Sequence, residues 1–250
     1  MFRENVGNEY IIFQEGTSEG TQVKYRKDGF WYKKDNRGNE GLTEYLVSHF
    51  LEFTSLGKDE FITYEFGKIN GISGCRSRNF LKSEEELITF YRLYYNETGK
   101  DLSKVIASMD TMEERIEYVI EFIKHSCKLD VRDYLCKVLT LDMICLNEDR
   151  HLNNLAIIMR GEEFFPAPIF DNGVSLLTAN QSVNWYFPVE ENVKRVIARP
   201  FSGSHEKMVE YLGVGFSVDF ESALNWISSE SESREKEVLL YQLQRYRTAL

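Results

Sequence analysis

The sequence is poor in proline and cysteine, with four of each among 250 residues. Scarce proline, sixteen glycines and no low-complexity tract argue against a long flexible linker. Cys75, Cys127, Cys136 and Cys145 form no Cys-x-x-Cys pair and no Cys/His cluster at zinc-ligand spacing. Cys136 and Cys145 fall in an apolar helical run, where a buried free thiol is expected. No apolar run approaches the roughly 20 residues needed to cross a bilayer. Met1-Phe2-Arg3-Glu4-Asn5 lacks the apolar core of a signal peptide. A cytoplasmic, reduced protein with no membrane partner is therefore expected. Positive charge is also short: 30 Lys+Arg against 40 Asp+Glu give a formal charge of −10. Nucleic-acid binders draw much of their affinity from basic side chains on phosphates, so no direct nucleic-acid partner is expected. The chain contains neither Gly-x-x-x-x-Gly-Lys-Ser/Thr nor Gly-x-Gly-x-x-Gly, which excludes a P-loop and the usual glycine-rich nucleotide fingerprint.

What is present falls into two unlike parts. Tyr10 to Phe13 is a short apolar run, and Val23–Arg26 and Phe30–Lys33 are β-prone segments around Lys27-Asp28-Gly29. Asp-Gly in such a gap signals a hairpin. Leu42, Tyr45, Leu46, His49 and Phe50 recur at helical spacing and predict an amphipathic helix over 41–53. A strand pattern returns at Glu60 to Phe66. Beyond it the chain reads as mostly helical. Ser83 to Tyr95 is predicted as a helix with Glu84-Glu85-Glu86 at its positive end. Thr111-Met112-Glu113-Glu114 is a capping box, opening a helix with Ile116, Val119, Ile120 and Ile123 inward. Tyr134 to Leu146 is apolar nearly all round and predicts a buried central helix. Ser217–Ile227 and Glu232–Thr248 read as closing helices. The expected fold is α+β and two-lobed: a small β-rich N-terminal lobe over 1–68 and a larger, mostly α-helical C-terminal lobe over 69–250, with the boundary near Gly67 to Gly74.

The chemistry concentrates after the buried helix. Leu146-Asn147-Glu148-Asp149-Arg150-His151-Leu152-Asn153-Asn154 precedes an apolar segment, and Phe170-Asp171-Asn172-Gly173 follows about twenty residues later. Phosphoryl transfer needs a carboxylate on the attacking hydroxyl, oxygen ligands for magnesium and a cation on the phosphates. Asp149 is placed to serve as the catalytic base, with His151 orienting its loop. Asn154 and Asp171 supply the hard oxygen ligands that magnesium prefers. Taken alone, Asp-Arg-His or Asp-Asn-Gly is an ordinary turn; their order and spacing after a buried helix is what carries the reading.

These two segments resemble the catalytic and metal-binding loops of the HipA-like serine/threonine kinase family in its compact form. The Asp-Arg-His-x-x-Asn spelling is shared with phosphoinositide-type lipid kinases. Phe30-Trp31-Tyr32-Lys33 with Glu40-Gly41-Leu42-Thr43-Glu44-Tyr45-Leu46 and Pro200-Phe201-Ser202 favours the HipA-like side. The resemblance covers most of residues 10–215 and implies a kinase-like fold, ATP and Mg²⁺ as cofactors, and a protein acceptor. It implies that Lys33 contacts the nucleotide phosphates. Lys34 would face the opposite way on a strand; Lys33 is favoured because it shares a face with Trp31. Glu44, with Glu40 as the alternative, is expected to hold this lysine. The loop Glu15 to Gln22, with Gly16, Ser18 and Gly20, is the candidate phosphate loop, and the resemblance places autophosphorylation at Thr17 or Ser18. The strand around Thr63-Tyr64-Glu65-Phe66 precedes the lobe boundary, and its backbone is the candidate adenine contact. HipA-like kinases often pair with a helix-turn-helix antitoxin, so a partner of that kind is implied.

The reading is an ATP- and Mg²⁺-dependent kinase acting on Ser or Thr of a protein, with autophosphorylation. A small-molecule or lipid kinase of the same fold is the first alternative. A nucleotide-binding pseudokinase serving as a regulatory interaction module is the second.

Overall fold

The computed structural model describes residues 1–12 and 23–247. Its strands and helices, in chain order, are β1 (Phe2–Glu4), β2 (Lys24–Lys27), β3 (Phe30–Lys34), α1 (Glu40–Phe50), β4 (Glu65–Ile69), β5 (Ile72–Arg78) and β6 (Glu85–Thr89). There follow α2 (Phe90–Thr98), α3 (Leu102–Ala107), α4 (Met112–Cys127), α5 (Arg132–Cys145), β7 (Ala156–Arg160) and β8 (Glu163–Pro166). The chain closes with α6 (Val189–Asn192), α7 (His205–Leu212), α8 (Phe220–Ser229) and α9 (Arg234–Tyr246). The architecture is the expected one, a small sheet lobe followed by a helical lobe.

The first sheet has the order β1-β4-β5-β3-β2, antiparallel except for β1 beside β4. Asp28 and Gly29, at φ 50° and 77°, make the β2–β3 turn, the pairing that matches strand twist. Asn70 and Gly71 repeat it between β4 and β5 at φ 52° and 82°. The expected lobe boundary at 68/69 therefore falls inside a hairpin. The glycines of 67–74 mark a turn and a close approach, and the sheet runs on to Arg78. The close approach is Gly41 on α1 against Gly74 on β5, where a Cβ on Gly41 would lie 2.4 Å from the Gly74 carbonyl carbon. It lets α1 settle directly on the sheet.

The segment 83–95 departs from its predicted helix. Glu85 to Thr89 form β6, paired antiparallel with β7. Glu85 accepts from Arg160 Nε at 2.9 Å on that neighbour. The helix starts only after Thr89, whose hydroxyl caps it by accepting from Arg92 N at 3.1 Å. Of the predicted strand at 60–66, only Glu65 and Phe66 lie in β4. Its earlier part pairs elsewhere: Ile62 N donates to Ile169 O and Ile169 N to Glu60 O. The run Tyr10–Phe13 gives a short 3-10 turn over Asn8–Tyr10 and a bridge from Ile11 to Tyr25; Phe13 lies outside the described residues.

The main core is helical. The Thr111–Glu114 capping box forms as expected, and Ile116, Val119, Ile120 and Ile123 are all buried against α5 and its neighbours. The sheet lobe has its own small cluster of Val6, Tyr25, Tyr32 and Ile69. A third cluster, Ile62, Tyr64 and Cys75 with Phe80 and Phe170, joins the sheet lobe to the loop that carries Asp171.

Candidate active site

Register decides which lysine faces the cleft. Phe66, Cys75, Lys33 and Lys24 are partners in successive strands and share one face of the sheet. Lys33 Nζ donates to Glu44 Oε1 at 2.8 Å and to Asp171 Oδ1 at 2.7 Å. Lys24 Nζ stands 3.6 Å from the other Asp171 oxygen. Lys34, on the opposite face, donates to Tyr25 OH at 2.6 Å. Glu40 does not reach a lysine here. It accepts from the backbone N–H groups of Asn36, Arg37 and Gly38 and so closes the turn before α1. Glu44 is one helical turn further on, and its second oxygen accepts from Asn172 N at 3.0 Å.

The Asp-Asn-Gly turn is shaped for this approach. Asp171 sits at φ 60°. A Cβ on Gly173 would come within 3.3 Å of Glu40 Cβ and 3.5 Å of Glu44 Cγ. Burial works against the charge on Lys33, but the Asp171 and Glu44 carboxylates outweigh it and hold its pKa well above the usual lysine value. Burial likewise opposes ionisation of Asp171; Lys24, Lys33 and Arg150 overrule it and hold the carboxyl well below its ordinary range. Glu44 is pushed up by burial, with Lys33 offsetting part of the effect.

The catalytic loop is a knot of short-range bonds. Asp149 N donates to Asn147 Oδ1 at 2.9 Å, His151 N to Asp149 O at 2.8 Å, and Asn154 N to His151 O at 2.8 Å. Asn154 Nδ2 also donates to Asp149 O, at 3.1 Å. This bond commits the Asn154 amide nitrogen and leaves the amide oxygen outside it. The Asp149 carboxylate is 40 % exposed, with Arg199 Nη1 3.8 Å away. The His151 ring does not make the orienting bond expected of it. Among the described residues its Nδ1 is buried with no hydrogen-bond partner, and the residue holds the loop through its backbone.

Two residues that spacing does not single out tie the site together. Arg150 is completely buried. It grips both oxygens of Asp142 on α5, donates to Phe170 O at 2.8 Å and Asn172 Oδ1 at 2.6 Å, and lies 3.4 Å from Asn154 O. One guanidinium thus links the helix, the catalytic loop and the Asp171 turn. Ionic pairing at such depth stands only when every donor is used. His205, at the start of α7, places Nε2 2.8 Å from Asn147 O. A carbonyl only accepts, so Nε2 carries the proton. Burial pushes this imidazole below its ordinary pKa, which keeps it neutral. Both sit in polar stretches, Glu148-Asp149-Arg150-His151 and Ser204-His205-Glu206, so nothing in the sequence marks them before their burial is known.

The remaining expected residues lie apart. Glu65 is on the sheet face opposite Lys33, its carboxylate 2.8 Å from Arg76 Nη2 in the open. Its side chain therefore points away from Lys33, while the adenine contact expected of this strand falls to its backbone. The link between lobes follows β5 instead, where Asn79 accepts from Trp31 Nε1 at 3.0 Å and Phe80 stacks on Phe170 at 6.2 Å. Gly16, Thr17, Ser18 and Gly20 lie outside the described residues.

No protein-family model matches the sequence, and no curated protein matches it. Among solved structures, the proinflammatory kinase CtkA of Helicobacter pylori superposes with a TM-score of 0.66 at 16 % identity, over 94 % of this chain and 89 % of that one. HipA of Shewanella oneidensis MR-1, solved with HipB and operator DNA, gives 0.55 at 9 % identity, over 97 % of this chain and 66 % of that one. No helix among the described residues is long and apolar enough to cross a membrane. By its two lobes and these superpositions, the chain has the fold of the HipA-like kinases.

Proposed function

We propose that the chain is a phosphotransferase that moves the γ-phosphate of ATP to a Ser or Thr hydroxyl of a protein. The observation that carries this reading is the linked set Lys33–Glu44–Asp171, joined through Arg150 to the loop of Asp149 and Asn154. A pseudoenzyme has no need of a cation, a base and two oxygen ligands converging in this way. The donor set fits magnesium, which favours one or two carboxylates with other hard oxygens. Asp171 and Asn154 would hold it, and when bound it would neutralise charge growing on the phosphates.

The chain's own groups do the rest. Lys33 binds phosphate oxygens, and Glu44 keeps it aimed. Asp149 orients the acceptor hydroxyl and takes its proton. As the hydroxyl oxygen bonds to the γ-phosphorus, the bond from that phosphorus to the bridging oxygen of ADP breaks. Because Lys33, Asp149 and Asp171 are fixed beforehand, most of the rate gain comes from positioning and from charges already in place. The likeness to HipA, which was solved with HipB and operator DNA, supports a helix-turn-helix partner for this chain as well.

Incubation of purified protein with γ-labelled ATP and Mg²⁺, followed by phosphosite mapping, tests the reading. Label on Ser or Thr that vanishes in Asp149→Asn and Asp171→Asn is the expected result. Bound ATP with no transfer to the protein or to any acceptor would favour the pseudokinase. Label on a small alcohol or lipid alone would move the acceptor class to the first alternative.

A further inference from the structure

Arg199 stands where an acceptor would have to arrive. Its guanidinium is 3.8 Å from the Asp149 carboxylate, and its side chain is 59 % exposed. That separation is longer than the roughly 2.7–2.9 Å of a charge-assisted hydrogen bond, so the pair is easily exchanged. Arg199 also lines a cavity of about 400 Å³ beside the catalytic loop, with His151, Asn153, Tyr91, Asp101 and Arg115. Lys24, Lys33 and Asp171 take no part in its wall. The wall comes from the helical lobe, and its volume lies in the range of about 300–1,000 Å³ typical of ligand sites.

Charge in the cavity is unevenly committed. Arg115 spends its donors on the carbonyls of Met109 and Phe201. Asp101 caps α3, accepting from Ser103 N and Lys104 N, and faces Lys104 Nζ at 3.8 Å. Arg199 has Asp149 as its ion-pair partner among the described residues, with Glu148 within electrostatic reach. It is the wall cation held by the acceptor-side carboxylate itself.

We propose that this cavity is the acceptor subsite and that Arg199 selects peptides carrying a carboxylate close to the target hydroxyl. The inference rests on the phosphotransferase reading above. An incoming Asp or Glu takes over the guanidinium and leaves Asp149 free to receive the hydroxyl. A lysine at the same place is repelled, and Arg199 stays on the base. The net charge of −10 does not draw acidic partners from a distance; selection operates at contact.

The test uses the whole protein and three peptides that differ only by Glu, Gln or Lys two residues from a single Ser. The wild type is expected to rank them Glu, Gln, Lys in kcat/KM, with steps of about fivefold, the size of one well-formed exposed ion pair. Arg199→Lys keeps the order, Arg199→Gln flattens it, and Arg199→Glu reverses it. Titration with a fluorescent ATP analogue, unchanged in all three variants, shows that they are folded. A ranking that survives Arg199→Glu overturns the proposal. So does a wild type that labels itself but ranks no peptide, an outcome that leaves the kinase reading standing. Bound ATP with no transfer to peptide or self overturns both.

Discussion

Asp171 and Asp149 are the two carboxylates of the proposed chemistry, and their surroundings are opposite. Asp171 is enclosed by Lys33 and Lys24, its turn is packed on α1, and Arg150 braces the residues on either side of it. Asp149 has a rigid backbone and a half-open side chain with one loose cation. On the proposed reading, the phosphate side is built into the fold and the acceptor side is left free to change partners. Substitutions on the first should therefore cost both stability and activity, and those on the second activity alone.

The largest effect is expected at this division. Asp149→Asn should lower phosphate transfer by about 10²–10⁴-fold, the usual contribution of a positioned base. Its unfolding free energy should stay within about 0.5 kcal/mol of wild type, as for other exposed substitutions. Lys33→Met should abolish transfer as well but leave Glu44 and Asp171 facing each other without their cation. Urea denaturation should then show a loss of about 3 kcal/mol or more. Equal stability losses in the two variants would erase the contrast between the sides.

Next comes the brace. Arg150→Met strands the Asp142 carboxylate in the core and should cost about 3–5 kcal/mol. Asp142→Leu combined with Arg150→Met should recover much of that stability without recovering activity, because Phe170 O and Asn172 remain unheld. Full recovery of both would mean that the guanidinium serves folding alone. His205→Leu should cost less, about 1–3 kcal/mol, since it leaves one buried carbonyl without its donor. As a positioning residue His205 acts on Asp149 through Asn147, so kcat should fall while KM for ATP holds. His205→Gln, which keeps an N–H donor, should restore part of kcat.

Much of this division was legible in the chain. Asp149, Asn154 and Asp171 show themselves by type and spacing, and the Asp28-Gly29 hairpin puts Lys33 on a strand whose face can be counted. Alternation, with Trp31 on the same face, then favours Lys33 over Lys34; Lys33 pairs with Glu44 and Asp171, and Lys34 with Tyr25. What stayed hidden depends on partners far along the chain. Glu85-Glu86 reads as a helix start until β7 offers its edge and Arg160. Asn70-Gly71 carries a clear turn signature, yet the surrounding glycines pointed to a lobe boundary. Glu65 is expected to meet adenine through its strand's backbone, and register puts its side chain on the face away from Lys33. Arg150 and His205 act across 22 and 58 residues, to Asn172 and Asn147, and no local pattern reveals such bonds.

The smallest expected effect sharpens the comparison by setting Asp171 beside a carboxylate of the sheet lobe. Asp171 and Asp35 are both partly enclosed, but their carboxyl groups move in opposite directions. Asp35 lies at the entrance to α1 and accepts from Gly41 N at 2.7 Å. Burial, with Glu40 and Glu235 adding repulsion, pushes its carboxyl up to about 6 against that bond. A raised carboxyl binds its proton in the folded state at a pH where the unfolded chain has lost it. Stability from this group therefore falls as pH rises from about 4 to about 6 and is level above that. Asp35→Asn keeps an oxygen for Gly41 N–H and removes the charge. It should raise the melting temperature slightly at pH 8, and the gain should shrink as pH is lowered through 6 towards 4. A gain that is the same at pH 4 and pH 8 would show that the carboxylate at α1 is not strained by its charge, and that the lysines alone set Asp171 apart.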